Sequence, residues 1–194
     1  MRDNDKSLEA MMDEAIERIL DFWFVEVGPG KHYKTDPVLD AGISAQFGAL
    51  HGRAAAGELG HWLETARGAL ALLILLDQFS RNIYRGLPGA FDSDALALDY
   101  AQQAIGLGHD LAFEDVERSF FYMPFMHAED LQAQNKGVAY FKERLPGSTN
   151  IPYAEEHRDI IEKFDRFPHR NKVLQRESTA AEIAFLENGG FDPT

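Results

Sequence analysis

Apolar positions recur every three to four residues along most of this chain, the spacing of one face of an α-helix. Leu8, Met11, Met12, Ala15, Ile16, Ile19, Leu20 and Trp23 keep that spacing until Gly28-Pro29-Gly30 stops it. Asp36-Pro37 reads as the N-cap and first position of a second helix, with Leu39, Ile43, Phe47 and Leu50 inward and Gly57 as its end. A third helix is predicted over about residues 65–81. Its stretch from Ala69 to Leu76 is apolar all round, which places it at the centre. The turn Leu87-Pro88-Gly89 leads to a fourth helix over about 93–107, with Leu96, Tyr100, Ala104 and Leu107 spaced for burial.

Helical stretches follow over 114–122 and about 127–145. A break is expected between them at Pro124, because proline disfavours the α conformation in the residue before it. Pro146-Gly147 ends the longer stretch. The next helix covers about 152–166, with Ile160, Ile161 and Phe164 apolar, and Phe167-Pro168 closes it. Thr179-x-x-Glu182 is a capping box that opens a last helix, stopped by Gly189-Gly190. No alternating β pattern exceeds a few residues. The expectation is a single all-α domain over residues 1–194, with seven to nine helices stacked as antiparallel pairs resembling a tetratricopeptide-repeat array. No repeat period of about 34 residues is visible.

Composition narrows the function classes. The 194 residues suffice for a sizeable core. The absence of cysteine excludes disulfides, thiolate metal sites and a cysteine nucleophile, and suits a cytoplasmic setting. The polar start Met1-Arg2-Asp3-Asn4-Asp5-Lys6 has no apolar segment behind it, so no secretory signal is expected. The longest apolar run is far shorter than the roughly 18–20 residues of a membrane span. A net charge of −13 argues against nucleic-acid partners. The charge is uneven, however. Residues 157–176 hold Arg158, Lys163, Arg166, Arg170, Lys172 and Arg176 with two histidines, against only Asp159, Glu162 and Asp165. Such a patch attracts a small anion or acidic segment, or else pairs with the chain's own carboxylates.

Three polar segments are the candidates for chemistry. Two echo each other, D-Q-F-S-R-N at 77–82 and D-R-F-P-H-R-N at 165–171, each placing a Phe and then Arg-Asn at a helix end. In the first, helical spacing aligns Asp77, Arg81 and, with a continuing helix, Arg85, with Gln78 and Asn82 on the adjoining face. Asp77 can hold Arg81 and leave guanidinium donors free. Otherwise these groups form an Asp–Arg pair fastening two helices. In the segment 127–134, spacing aligns His127, Asp130 and Gln134, with Glu129 off that face. His127 and Glu129 could act as an acid–base pair, or the acids could cap the helix start. The spacing is not that of a metalloprotease, and no metal or cofactor is expected. In the third segment, His157 and Arg166 precede His169, Arg170 and Asn171, which project from the Pro168 turn. Arginines there could bind a carboxylate or phosphate in bidentate fashion, or could bond helix C-terminal carbonyls.

The segments FWF (22–24), LLDQFSRNIYRG (75–86), AFDSDALAL (90–98), YMPFMHAEDLQAQ (122–134), RFPHRN (166–171) and ESTAAEIAFL (177–186), in this order, resemble a bacterial family known as domain of unknown function 924. The resemblance covers about residues 17–187. It implies a helical fold similar to tetratricopeptide-repeat proteins and brings no established activity. Matching positions are Asp77, Gln78, Arg81, Asn82, Arg85, His127, Glu129, Gln134, His157, Arg166, His169, Arg170 and Asn171. Asp165 stands where the family commonly has Gly, and Ala128 where Ser is common. The first departure adds a carboxylate beside Arg166, and the second removes a hydroxyl able to cap a helix.

The leading expectation is a binding module. The three segments would converge on one groove that takes a small anionic ligand or an acidic peptide end. A rival is an enzyme, hydrolase-like, using His127 or His169 with Glu129 as acid and base. A third is an interaction scaffold for a protein partner, in which the polar clusters only lock helices together.

Overall fold

The computed structural model describes residues 2–32 and 34–190. The side chains of residues 2–11 lie outside it, and with them the expected inward positions Leu8 and Met11. Among the described residues every regular element is helical, and no helix is long and apolar enough to cross a membrane.

Helix α1 (Arg2–Asp21) runs into a π-helical turn, Phe22–Val27. Gly28 ends it at φ 71°, donating its N–H to the Trp23 carbonyl. Helix α2 (Pro37–Ala55) opens as the sequence predicts, with the Asp36 carboxylate accepting from the Val38 and Leu39 N–H groups. Ile43, Phe47, His51 and Ala54 form its buried face. The central rod comprises α3 (Ala66–Leu73), a π-helical segment Ile74–Phe79, and α4 (Ser80–Ile83). Every residue from Ala69 to Ser80 is buried. The all-apolar run therefore does what its pattern requires: α1, α2 and α5 (Asp94–Gly106) all pack against this rod. Gly68 is needed at its start, because a Cβ there would lie 2.3 Å from the Trp62 carbonyl oxygen.

The remaining helices are α6 (Asp115–Ser119), α7 (Met123–His127), α8 (Leu131–Arg144), α9 (Ile151–Phe164) and α10 (Ala180–Glu187). The expected helix over 127–145 is corrected here. A turn at residues 120–122 separates helices just ahead of Pro124, which itself occupies the first turn of α7, where its missing N–H is harmless; a second break, not expected, falls at residues 128–130. His127 thus ends one helix and does not begin the next. Asp130 caps α8, accepting from the Ala133 N–H at 2.7 Å. His127, Asp130 and Gln134 accordingly do not share a helix face. Gln134 instead donates to the Met126 and Ala128 carbonyls and closes the break.

Helices α8 and α9 pack together, and α10 packs on the short turn Pro168–Arg170. That end has a small core of its own: Ile160, Ile161 and Phe167, with Phe164 and Phe185 against it. The capping box of α10 is present, Thr179 and Glu182 bonding reciprocally.

Candidate functional site

The π-helical segment sets Asp77 where the central rod meets α5 and α7. Its carboxylate is buried and takes three partners: Gln78 Nε2 at 2.6 Å, His127 Nδ1 at 2.7 Å and Arg81 Nη1 at 3.2 Å. The Leu76 carbonyl accepts from the Ser80 and Ser93 hydroxyls, and the Asp77 carbonyl accepts from Arg81. Ser80, spent on backbone carbonyls, is not poised as a nucleophile. Arg81 also makes a bidentate contact with Asp94, at 2.9 and 3.1 Å.

The second echo segment reaches the same place. Arg170 donates to Asp94 at 3.1 Å and to the His127 carbonyl at 3.0 Å. Its guanidinium carbon lies 4.5 Å from the ring centres of both Phe91 and Phe167. Asp94 therefore joins Arg81 to Arg170. The His157 ring lies 6.2 Å from that of His127 and 5.4 Å from that of Phe167. The His169 ring lies 5.5 Å from that of Phe167.

Electrostatics follow from burial. Burial alone would push the Asp77 carboxyl up, but Arg81, His127 and Gln78 outweigh it and hold it well below the carboxylate range. Burial and the Arg81 charge keep His127 below its ordinary value despite Asp77. A neutral imidazole at 2.7 Å from an ionised carboxylate carries its proton on Nδ1, which leaves a lone pair on Nε2. Burial and the neighbouring His127 push His157 down to about 3. Arg170 is lowered to about 10, chiefly by burial.

A family model described as "Bacterial protein of unknown function (DUF924)" matches residues 19–190. The chain belongs to this family. It is also similar to the solved structure of a protein of unknown function from Agrobacterium tumefaciens. That chain is 44% identical, with a TM-score of 0.85 over 90% of this chain and 97% of the other. Comparison with curated proteins gives no match.

In this DUF924 chain the candidate residues divide. Asp77, Gln78, Arg81, His127 and Arg170 form one hydrogen-bonded cluster, with His157 and His169 linked to it by ring contacts. Glu129 stands beside it with other partners. It accepts from the Phe167 N–H at 2.8 Å and from Arg176 at 2.6 and 2.9 Å, so the carboxylate serving His127 is Asp77. Asn171 accepts from Arg176 and donates to Ser178. Arg166 pairs with Glu182. Asn82 and Arg85 pair with Asp40 on α2, because α4 stops at Ile83 and Arg85 leaves the face it was expected to share.

Sequence reasoning missed Asp94, Phe91, Arg176 and Asp40. Asp94 and Phe91 lie within the AFDSDALAL segment, where the acids could be taken for helix-start residues; only tertiary contact assigns Asp94 to two arginines. Among the described residues no group of three metal-ligating side chains is close enough to hold a metal ion.

Proposed function

We propose that this protein binds a small anionic ligand, a carboxylate or a phosphate, beside Arg170 and His127. The observation that carries this reading is the Arg170 Nε–H, which is buried and has no acceptor, in a cluster whose carboxylates are otherwise paired. A buried donor left unsatisfied costs on the order of 1–3 kcal/mol, more for a charged group. An incoming oxyanion would satisfy it. Asp77 and Asp94 already balance Arg81 and Arg170, so the anion adds one negative charge to a neutral cluster. A proton taken up by His127 would offset it. Stacked antiparallel helix pairs of the tetratricopeptide kind would supply the concave wall that such a site needs.

The test is calorimetric titration with inorganic phosphate and with acetate at pH 7.5 and 6.0. The reading expects saturable binding, tighter at pH 6.0, with the Arg170→Lys variant weakened because lysine lacks the planar fork. No heat of binding from either anion at either pH sinks it.

The Asp77–His127 contact favours a second reading, in which His127 Nε2 is a general base in hydrolysis. Asp77, not Glu129, would be the orienting carboxylate. Under that reading, His127→Gln abolishes turnover in a hydrolase substrate panel while phosphate binding persists.

A further inference from the structure

A second place in the molecule carries a polar group that nothing described so far uses. His51 sits on the buried face of α2, with 4% of its surface exposed. Both ring nitrogens are buried and neither has a hydrogen-bond partner. A neutral imidazole always offers one N–H and one lone pair, so two orphaned polar atoms lie on one ring. Native proteins leave few buried polar atoms unpaired, and each one asks for an explanation.

The ring does not sit in sealed packing. It forms one wall of a cleft of about 310 Å³, lined also by Tyr84, Gly89, Asp92 and Ser93. That volume is at the lower end for small-molecule sites. The cleft is held open by backbone geometry. Tyr84 packs with its ring 5.5 Å from that of His51. A Cβ on Gly89 would lie 3.0 Å from the Tyr84 ring, so the absence of a side chain there lets Tyr84 keep its place. Ser93 is fixed by donating to the Leu76 carbonyl at 2.6 Å, which leaves its oxygen able only to accept. Asp92, at the exposed rim, adds a carboxylate.

We propose that this cleft binds a small hydroxyl-bearing molecule, with His51 both donating to and accepting from its hydroxyl groups. The chemistry of the walls selects that class. Asp92 and Ser93 offer acceptors, and only a group that can donate and accept satisfies both nitrogens of His51. A hydroxyl does so; a bare anion would meet the Asp92 charge, and a bare ammonium would leave the His51 N–H unpaired. The histidine χ2 torsion is soft, so either nitrogen can turn to the cleft. Burial disfavours the charged form of the ring and lowers its pKa.

The test uses the full chain with histidine ring nitrogens labelled with ¹⁵N, titrated with meso-erythritol and, separately, with ethanolamine. The expected result is a saturable shift of the His51 ring nitrogens with at least one probe, while the exposed His61 does not move. Saturation by both probes identifies the hydroxyl as the recognised group. A preference for ethanolamine that Asp92→Asn reduces severalfold assigns the rim carboxylate to a positive charge on the ligand. The variant His51→Phe removes both orphaned atoms, so it should melt no lower than the parent and lose the stabilisation by either probe. The absence of a saturable shift with both probes overturns the proposal. So does a free-protein spectrum in which both nitrogens are already hydrogen-bonded to trapped water.

Discussion

The two echoing helix ends place the same residue types in one cluster by different means. Phe79 and Phe167 are both fully buried, and the arginines that follow them meet on Asp94. The first end is the tail of a rod buried on all sides, so Arg81 is placed by apolar packing. The second is a short turn at the edge of a three-residue core. Its Phe167 N–H and carbonyl are both held by side chains, Glu129 accepting from the first and Arg176 donating to the second. One half of the cluster is thus built into the core, and the other is latched to it by polar contacts. Ordering free energy differs across a structure in this way, and binding elements tend to come from the less stable part.

The hardest blow to the comparison is at the shared carboxylate. Asp94→Ala leaves Arg81 and Arg170 buried without their common partner, and breaking such a pair costs about 3–5 kcal/mol. Urea unfolding should show that loss. A loss below about 1 kcal/mol would mean the two ends are not coupled through Asp94. Next in size is Glu129→Gln, which weakens the latch and leaves the rod untouched. It should cost about 2 kcal/mol, since charge-assisted hydrogen bonds contribute roughly 1.5–3 kcal/mol. Hydrogen exchange then reads which end moved: the Phe167 amide should lose protection while the Phe79 amide keeps it.

The same contrast explains what the sequence made legible. Helix starts at Asp36-Pro37 and Thr179-x-x-Glu182, and the stop at Gly28, depend on contacts within a few residues, and they appear where the pattern places them. The burial of residues 69–76 follows from composition alone. The convergence of Arg81, His127 and Arg170 was foreseeable only as an expectation, because no local rule links residues so far apart in the chain. The π-helical segment at Ile74–Phe79 has no sequence signature, yet it sets the angle of Asp77. Pro124 marks the turn just ahead of it, because proline is at home in a helix's first turn, but nothing local marks the second break at residues 128–130. That hidden break takes His127 off α8, so helical spacing sets Glu129 beside it although Asp77 is its partner. Nor does any local rule show that carboxylates from distant segments, Asp40, Asp94 and Glu182, claim most of the donors of Arg81, Asn82, Arg85, Arg166 and Arg170.

Acid should weaken both ends, and by a predictable sign. His157 belongs to the second end and titrates at about 3 in the folded chain, because burial and its neighbours oppose its charge. The unfolded chain takes up that proton near pH 6.5. Stability is therefore full above pH 6.5 and falls as the pH drops towards 3, by up to about 1.4 kcal/mol per pH unit for each proton. His127, shifted in the same direction, adds to the loss at the first end. Urea midpoints between pH 7.5 and 5 should fall accordingly, and His157→Gln should flatten the slope without abolishing it. An unchanged slope in that variant would remove His157 from the account.

The smallest effect concerns the residue that turns the chain at each helix end. After the first end the left-handed position is held by Gly86, at φ 75°. At the second it is held by Asp165, which follows α9 and precedes Phe167, at φ 59°; its N–H closes α9 on the Ile161 carbonyl. Glycine adopts this conformation without the Cβ clash that an L-residue meets, and an exposed carboxylate at a helix C-terminus opposes the helix dipole. Asp165→Gly should relieve both, while the added freedom of the unfolded chain takes back part of the gain. The net effect should be a stabilisation of about 0.5 kcal/mol, which for a chain of this length raises the melting temperature by about 1–2 °C. Gly86→Asp should shift it the other way. If Asp165→Gly instead lowers the melting temperature, the Asp165 side chain stabilises the second end through a contact of its own, and the resemblance between the two turns stops at their dihedral angles.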